Sequence, residues 1–148
     1  GRVIARPYLP GLPLAPATLE GAPTDEAGAR VVELADSRSW RLAFDASYEG
    51  ALSVRIGSES GLEITLEEGR LTVDLTDTRY PHGGRRVVTL DAGEARRVEI
   101  LHDRSITEIY LGDGSRVFTT RTFLRGEGAG VALSGAASVT NVSAARAD

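Results

Sequence analysis

From residue 29 onward, apolar and polar side chains alternate with a period of two. Leu52, Val54 and Ile56 alternate with Ser53 and Arg55. Leu62, Ile64 and Leu66 alternate with Glu63, Thr65 and Glu67, and Leu71, Val73 and Leu75 with Arg70, Thr72 and Asp74. That period puts every second side chain on one face, as in strands buried on one side only. Further strands are predicted over 29–34, 38–48, 85–91, 96–103, 130–134 and 137–145, which with the hairpin below makes about eleven. No 3.6-residue apolar stripe persists for ~10 residues, so no long helix is expected. Many short strands joined by Gly-rich turns predict an all-β chain. A two-sheet antiparallel β-sandwich, of jelly-roll or concanavalin-like form, is favoured over a barrel.

The stretch 98–123 specifies a hairpin. Asp113-Gly114 lies between two β-rich runs, and Asp-Gly suits a two-residue type I′ turn. Counting outward from it, Leu111 faces Arg116, Tyr110 faces Val117, Ile109 faces Phe118, Glu108 faces Thr119 and Ile106 faces Arg121. Glu108 and Arg121 then share a face as diagonal neighbours, and an ion pair between them is expected. Glu68-Gly69 marks a second tight hairpin.

Residues 1–28 contain Pro7, Pro10, Pro13, Pro16 and Pro23, five of the six prolines. Proline excludes helix interiors and central strands, so 1–28 reads as a linker. Val3, Ile4, Tyr8, Leu9, Leu12 and Leu14 make it too apolar for a free tether, and it is expected to lie against a surface. The first residue is Gly rather than Met, which suggests a piece of a longer protein.

Composition narrows the chemistry. A chain of 148 residues is long enough for one well-buried domain. It has no cysteine, which removes disulfides, thiolate metal sites and cysteine nucleophiles but leaves the compartment open. All 17 basic residues are arginine, the net charge is −4, and the basic doublets Arg85-Arg86 and Arg96-Arg97 have acids nearby; nucleic acid is not an expected partner. No apolar run approaches the ~18 residues of a membrane span.

Asp103 and Glu108 are the carboxylate pair to weigh for glycosidase chemistry. They are separated by the turn Arg104-Ser105, and an arginine beside Glu108 would keep it ionised and a poor proton donor. Glu63, Glu67, Glu68 and Asp74 read as the wet face of a hairpin. His82 and His102 have no second ligand at metal spacing, no G-x-S-x-G elbow exists, and the Gly-rich pieces lack a P-loop lysine. Neither a metal nor a cofactor is expected. For sugar binding the candidates are Trp40, Tyr48 and the trio Arg79, Tyr80 and His82 on the loop 76–84. Trp40 alternates with Leu42 and Phe44, which places it in the core, so the loop has the better claim to exposure. Asn141-Val142-Ser143 matches a glycosylation sequon only by chance.

The segment H-D-R-S-I-T-E-I-Y-L-G-D-G-S-R-V-F-T-T-R-T-F resembles the signature of the C-terminal β-sandwich of glycoside hydrolase family 32. That family comprises invertases, levanases, inulinases and sucrose-6-phosphate hydrolases, and its pattern is close to D-R-S-S-V-E-I-F-x-N-D-G-x-x-V-x-T-S-R-I-F. Asp103, Arg104, Ser105, Glu108, Ile109, Asp113, Gly114, Thr119, Arg121 and Phe123 match. Tyr110, Gly112 and Thr120 depart mildly. The opening G-R-V-I-A-R-P and the hairpin E-I-T-L-E-E-G-R-L-T-V-D are also similar to family segments. The resemblance implies a sandwich, 29–148, packed through the linker 1–28 against an upstream five-bladed catalytic propeller of the same polypeptide. It implies a parent that is a retaining β-fructosidase acting on sucrose or fructan without metal. The family's W-x-N-D-P-N, R-D-P and E-C motifs do not occur here, so no catalytic residue carries over. Asp103, Arg104, Ser105, Glu108, Asp113, Gly114 and Arg121 are expected to be structural. The expected role is a non-catalytic brace. The alternative is a module that binds fructan or another carbohydrate.

Overall fold

The computed structural model describes residues 14–16, 30–34, 39–57, 61–78, 83–124 and 129–147. They form ten strands: β1 (Leu14–Pro16), β2 (Arg30–Leu34), β3 (Ser39–Ile56), β4 (Gly61–Glu67), β5 (Arg70–Asp77), β6 (Arg85–Thr89), β7 (Arg97–Asp103), β8 (Ile106–Leu111), β9 (Arg116–Arg121) and β10 (Ala129–Ala147). A 3-10 turn, Glu94–Arg96, leads from β6 into β7. Every strand pairing is antiparallel.

The fold is organised by its two longest strands. β3 and β10 run side by side from Ser39↔Ala147 to Ile56↔Val131. The first half of β3, Ser39 to Asp45, also pairs with β7, whereas its last five residues, Leu52 to Ile56, pair with β4. β10 likewise takes β2 at one end and β1 at the other. One hydrogen-bonded ladder therefore curls into two layers, β2-β10-β3-β4-β5-β6 and β1-β10-β3-β7-β8-β9, sharing the same two strands. This is the expected antiparallel sandwich.

Between the layers lie Leu52, Val54, Ile56, Leu62, Ile64, Leu66, Leu71 and Val73 from one side, and Trp40, Leu42, Phe44, Val98, Ile100, Ile109 and Leu111 from the other. These are the period-two apolar positions. Burying each such side chain contributes roughly 1.5–3 kcal/mol, which makes this face the dominant source of stability. The opposite faces carry ion pairs, such as Arg55 with Asp77 at 2.6 Å.

Two expected boundaries are corrected. The runs 38–48 and 52–56 are one strand, and 130–134 and 137–145 are another. Glu49-Gly50-Ala51 and Gly135-Ala136 look like breaks because they lack alternation, but they are bends. The register shifts between Gly135 and Ala137 and again between Thr140 and Ser143, which turns the ribbon from one layer to the other without ending it. The third finding is β1, which lies inside the proline-rich segment. As an edge strand bonded only to β10, it can include Pro16, whose ring nitrogen donates nothing.

The β8–β9 hairpin has the register expected from the sequence, from Leu111↔Arg116 to Ile106↔Arg121. Its turn differs from the expected type I′. Positive φ falls on Gly112 (65°) and Gly114 (97°), while Asp113 keeps negative φ. The Gly114 amide donates to Leu111 O at 3.2 Å, and the Gly112 amide reaches across to Arg97 O at 2.9 Å. A glycine at each flank of Asp113 relieves the aspartate of any left-handed conformation.

The tightest approach in the ribbon sets a testable difference between two glycines. A Cβ on Gly135 (φ 121°) would sit 2.1 Å from Ala51 O, whereas one on Gly84 (φ 59°) would meet nothing within 4 Å. Urea melts should show Gly84→Ala costing about 1 kcal/mol, the left-handed backbone penalty alone, and Gly135→Ala costing more than ~3 kcal/mol. Equal losses would mean that the bend relaxes freely.

Candidate functional site

The signature residues sit on the β7–β8–β9 layer, and the register assigns them to its two faces. The outward rows are Ser39, Asp103, Ile106 and Arg121; then Arg41, Leu101, Glu108 and Thr119; then Ala43, Glu99, Tyr110 and Val117. The polar members are tied to neighbours. Ser39 Oγ donates to Asp103 Oδ1 at 2.5 Å. Arg41 pairs with Glu99, and the Tyr110 hydroxyl donates to the Glu108 carboxylate. Burial first, and then the Glu108 charge, pushes the Tyr110 hydroxyl above its ordinary pKa.

The expected Glu108–Arg121 pair is not formed. They share a face as predicted, yet no ion pair among the described residues joins them. Tyr110 is two positions along the same strand, so its hydroxyl reaches Glu108 without ordering a long side chain from another strand. Arg121, on the edge strand, is solvent-exposed.

The inward face of the same layer holds a polar cluster within the core. His102 stacks on Trp40 with ring centroids 5.4 Å apart and planes at 24°. Its Nδ1 lies 2.9 Å from Thr107 Oγ1, which in turn donates to Thr122 Oγ1 at 3.0 Å. The backbone amide of Thr122 donates to Ser105 O at 2.7 Å, binding the end of the β9 segment to the β7–β8 turn. Trp40 is 2% exposed and Tyr48 donates to Ala95 O at 2.7 Å, so the ring of Trp40 serves the core and not a sugar. Sequence pattern placed Trp40 correctly but gave no sign of the His102–Thr107–Thr122 chain, because strand partners remote in sequence create it.

Arg104 occupies the β7–β8 turn with φ 55°, and its side chain is exposed. A left-handed non-glycine backbone costs roughly 1 kcal/mol. Asp113 is exposed at the β8–β9 turn, and Gly114 closes that turn. Arg79, Tyr80 and His82 lie outside the described residues. The acidic run behaves as a solvated face: Glu67 bonds Arg70, Asp74 bonds Thr76, and Glu68 accepts the Gly93 amide at 2.8 Å.

Two clefts are lined by described residues. One of about 380 Å³ follows the bend of the β3–β10 ribbon and is lined by Asp45, Ser47, Arg96, Arg97, Ser138 and Thr140 among others. Asn141, in a left-handed backbone at the bulge, donates to Asp45 at 2.7 Å; this bond, more than Arg97, holds the carboxyl below its ordinary pKa. The other, about 320 Å³, opens between the edge strands β6 and β9. Neither lining includes Asp103 or Glu108. Among the described residues no three His, Asp or Glu side chains are grouped to hold a metal ion.

These contacts set two outcomes. Because no ion pair reaches Arg121, Arg121→Met should cost under about 1 kcal/mol in urea melts, while Tyr110→Phe, which removes a bond to a half-buried carboxylate, should cost roughly 1–3 kcal/mol. A larger loss for Arg121→Met would restore the pair. Burial, opposed by the Asp103 charge and the Arg104 backbone, holds His102 below its ordinary pKa of 6.5. The unfolded chain then binds a proton near pH 6.5 that the fold refuses, so stability is full above that pH and declines as pH falls. Below about pH 6.5 stability should fall with a slope bounded by about 1.4 kcal/mol per pH unit, and His102→Asn should flatten it. An unchanged slope in the variant would assign the effect elsewhere.

The comparisons with known proteins agree with this architecture. The C-terminal family model of the family 32 glycosyl hydrolases matches residues 19–146. No curated protein matches the chain in sequence. Among solved structures, sucrose-6-phosphate hydrolase of Lactobacillus gasseri is similar over 81% of this chain and 28% of its own, at 18% identity and TM-score 0.66. The family 32 β-fructofuranosidase of Bombyx mori is similar over 99% of this chain and 30% of its own, at 18% identity and TM-score 0.68. The β-fructofuranosidase of Schwanniomyces occidentalis is similar over 97% of this chain and 35% of its own, at 10% identity and TM-score 0.70. The chain thus spans about a third of the length of these enzymes, and with its two layers and its β7–β9 signature it belongs to the C-terminal domains of glycosyl hydrolase family 32.

Proposed function

We propose that this chain is the non-catalytic module of a β-fructosidase-like glycoside hydrolase, and that it braces the catalytic propeller of the same polypeptide. The observation that carries this reading is coverage. Nearly all of the chain corresponds to about 30% of the Bombyx mori enzyme, leaving most of that enzyme without a counterpart here. In this reading 29–148 is the module body and 1–28 the connecting segment. The pairing of Leu14–Pro16 with Ala145–Ala147 supports a connection fastened to the module's own edge. Asp103 bonded by Ser39, and Glu108 bonded by Tyr110, suit a rigid surface better than proton transfer.

Assays of the 148-residue chain with sucrose, inulin and levan should show only background release of fructose. Removing the module from the parent enzyme should lower its melting temperature by several degrees, with the active-site chemistry otherwise retained. Turnover by the isolated chain that disappears in Glu108→Gln, or a parent indifferent to loss of the module, would overturn the reading.

A further inference from the structure

Strand β6 places an arginine on the inward face of the sandwich. Arg86 pairs with Val73 and Val88 with Leu71, and both partners are fully buried on the inward face. Cross-strand partners share a face, so Arg86 occupies an inward position at the open flank of the sandwich. Its neighbour Val87 is turned outward and is 58% exposed. Arg86, itself exposed, thus holds an inward position beside Val88, while Val87 holds the outward one between them.

The place to which Arg86 is turned is the 320 Å³ cleft between the two edge strands. Its lining is Arg86, Arg121, Thr119, Thr120 and Phe123 around a floor of Leu75 and Gly83. No acidic residue is among them, although the chain carries more acids than bases. No described ion pair neutralises either guanidinium, whereas Arg41, Arg55, Arg70, Arg97 and Arg116 each have a carboxylate. An inward-facing charge on an edge strand also guards against pairing with other sheets, which accounts for Arg86 by itself. It does not account for a second arginine, which comes from the outward side of the edge strand β9, nor for an aromatic ring lining the same opening. Guanidinium forks match carboxylate and phosphate oxygens bidentately, and hydroxyls and a ring edge suit the body of a small polar molecule.

We propose that the β6–β9 cleft is an anion-recognition site, taking a small molecule that presents a carboxylate or phosphate group to Arg86 and Arg121. The site is distinct from the bracing role and does not rest on it. The test is an NMR titration of the 148-residue chain at low salt with inorganic phosphate, glucuronate and neutral glucose. Saturable shifts are expected at the amides of 119–123, with a dissociation constant in the millimolar range that weakens as potassium chloride is added. Arg86→Gln and Arg121→Gln should each weaken binding roughly tenfold, while Arg70→Gln, at the far β4–β5 turn, leaves it unchanged. A response to phosphate alone assigns a phosphate ester, and a response to glucuronate alone assigns a carboxylate. The proposal fails if neither anion gives saturable shifts, if glucose binds as well as glucuronate, or if both cleft variants, with spectra showing them folded, bind like the parent chain.

Discussion

The constraint on which everything else rests is the shared ladder between β3 and β10. Each strand serves both layers, so the two sheets are not independent slabs held by apolar contact alone. Where the ribbon bends, backbone groups approach so closely that only glycine fits at position 135 opposite Ala51. Displacing that bend would alter the register of both layers at once, and a one-residue shift exchanges inward for outward side chains along a whole strand. The dry interior of Leu, Ile and Val therefore depends on hydrogen bonds at its rim, and the rim is held by the interior.

The β7–β9 layer uses this rigidity in two ways. Inward, it accommodates a histidine and two threonines by linking them into a chain, which limits the cost of burying polar groups. Outward, it keeps its acids fixed by neighbours on the same or the next row: Ser39 on Asp103, Arg41 on Glu99, Tyr110 on Glu108. The result is a patterned polar face with its side chains already ordered, suited to contact with another surface at low entropic cost.

Much of this was legible in the chain. Period-two alternation gave the layers, and the Asp113-Gly114 signal gave the β8–β9 register residue for residue. The failures have a common cause, which is that local pattern does not say what a strand meets. Gly50 and Gly135 looked like strand ends because bending and ending have the same composition. Pro16 looked excluded from strands because edge positions cannot be told from central ones in sequence. Glu108 and Arg121 were on the correct face, but a nearer hydroxyl took the carboxylate. The same limit hid the cleft at β6, where Arg85-Arg86 reads as an ordinary surface doublet until the pairing of Val73 with Arg86 shows that one of the two is turned inward.

The pairing of β1 with the end of β10 has a mechanical consequence. Leu14 lies directly across from Ala147, so the two ends of the described chain are strand neighbours, about 5 Å apart. Tension applied between them is carried by the bonds between β1 and β10 and peels those one at a time. Because Ala147 also pairs with Ser39, the end of the β3–β10 ribbon shares that load, while the core lies further in. A pull on these two ends would therefore unzip bonds at one corner of the sandwich before it reaches the apolar interior.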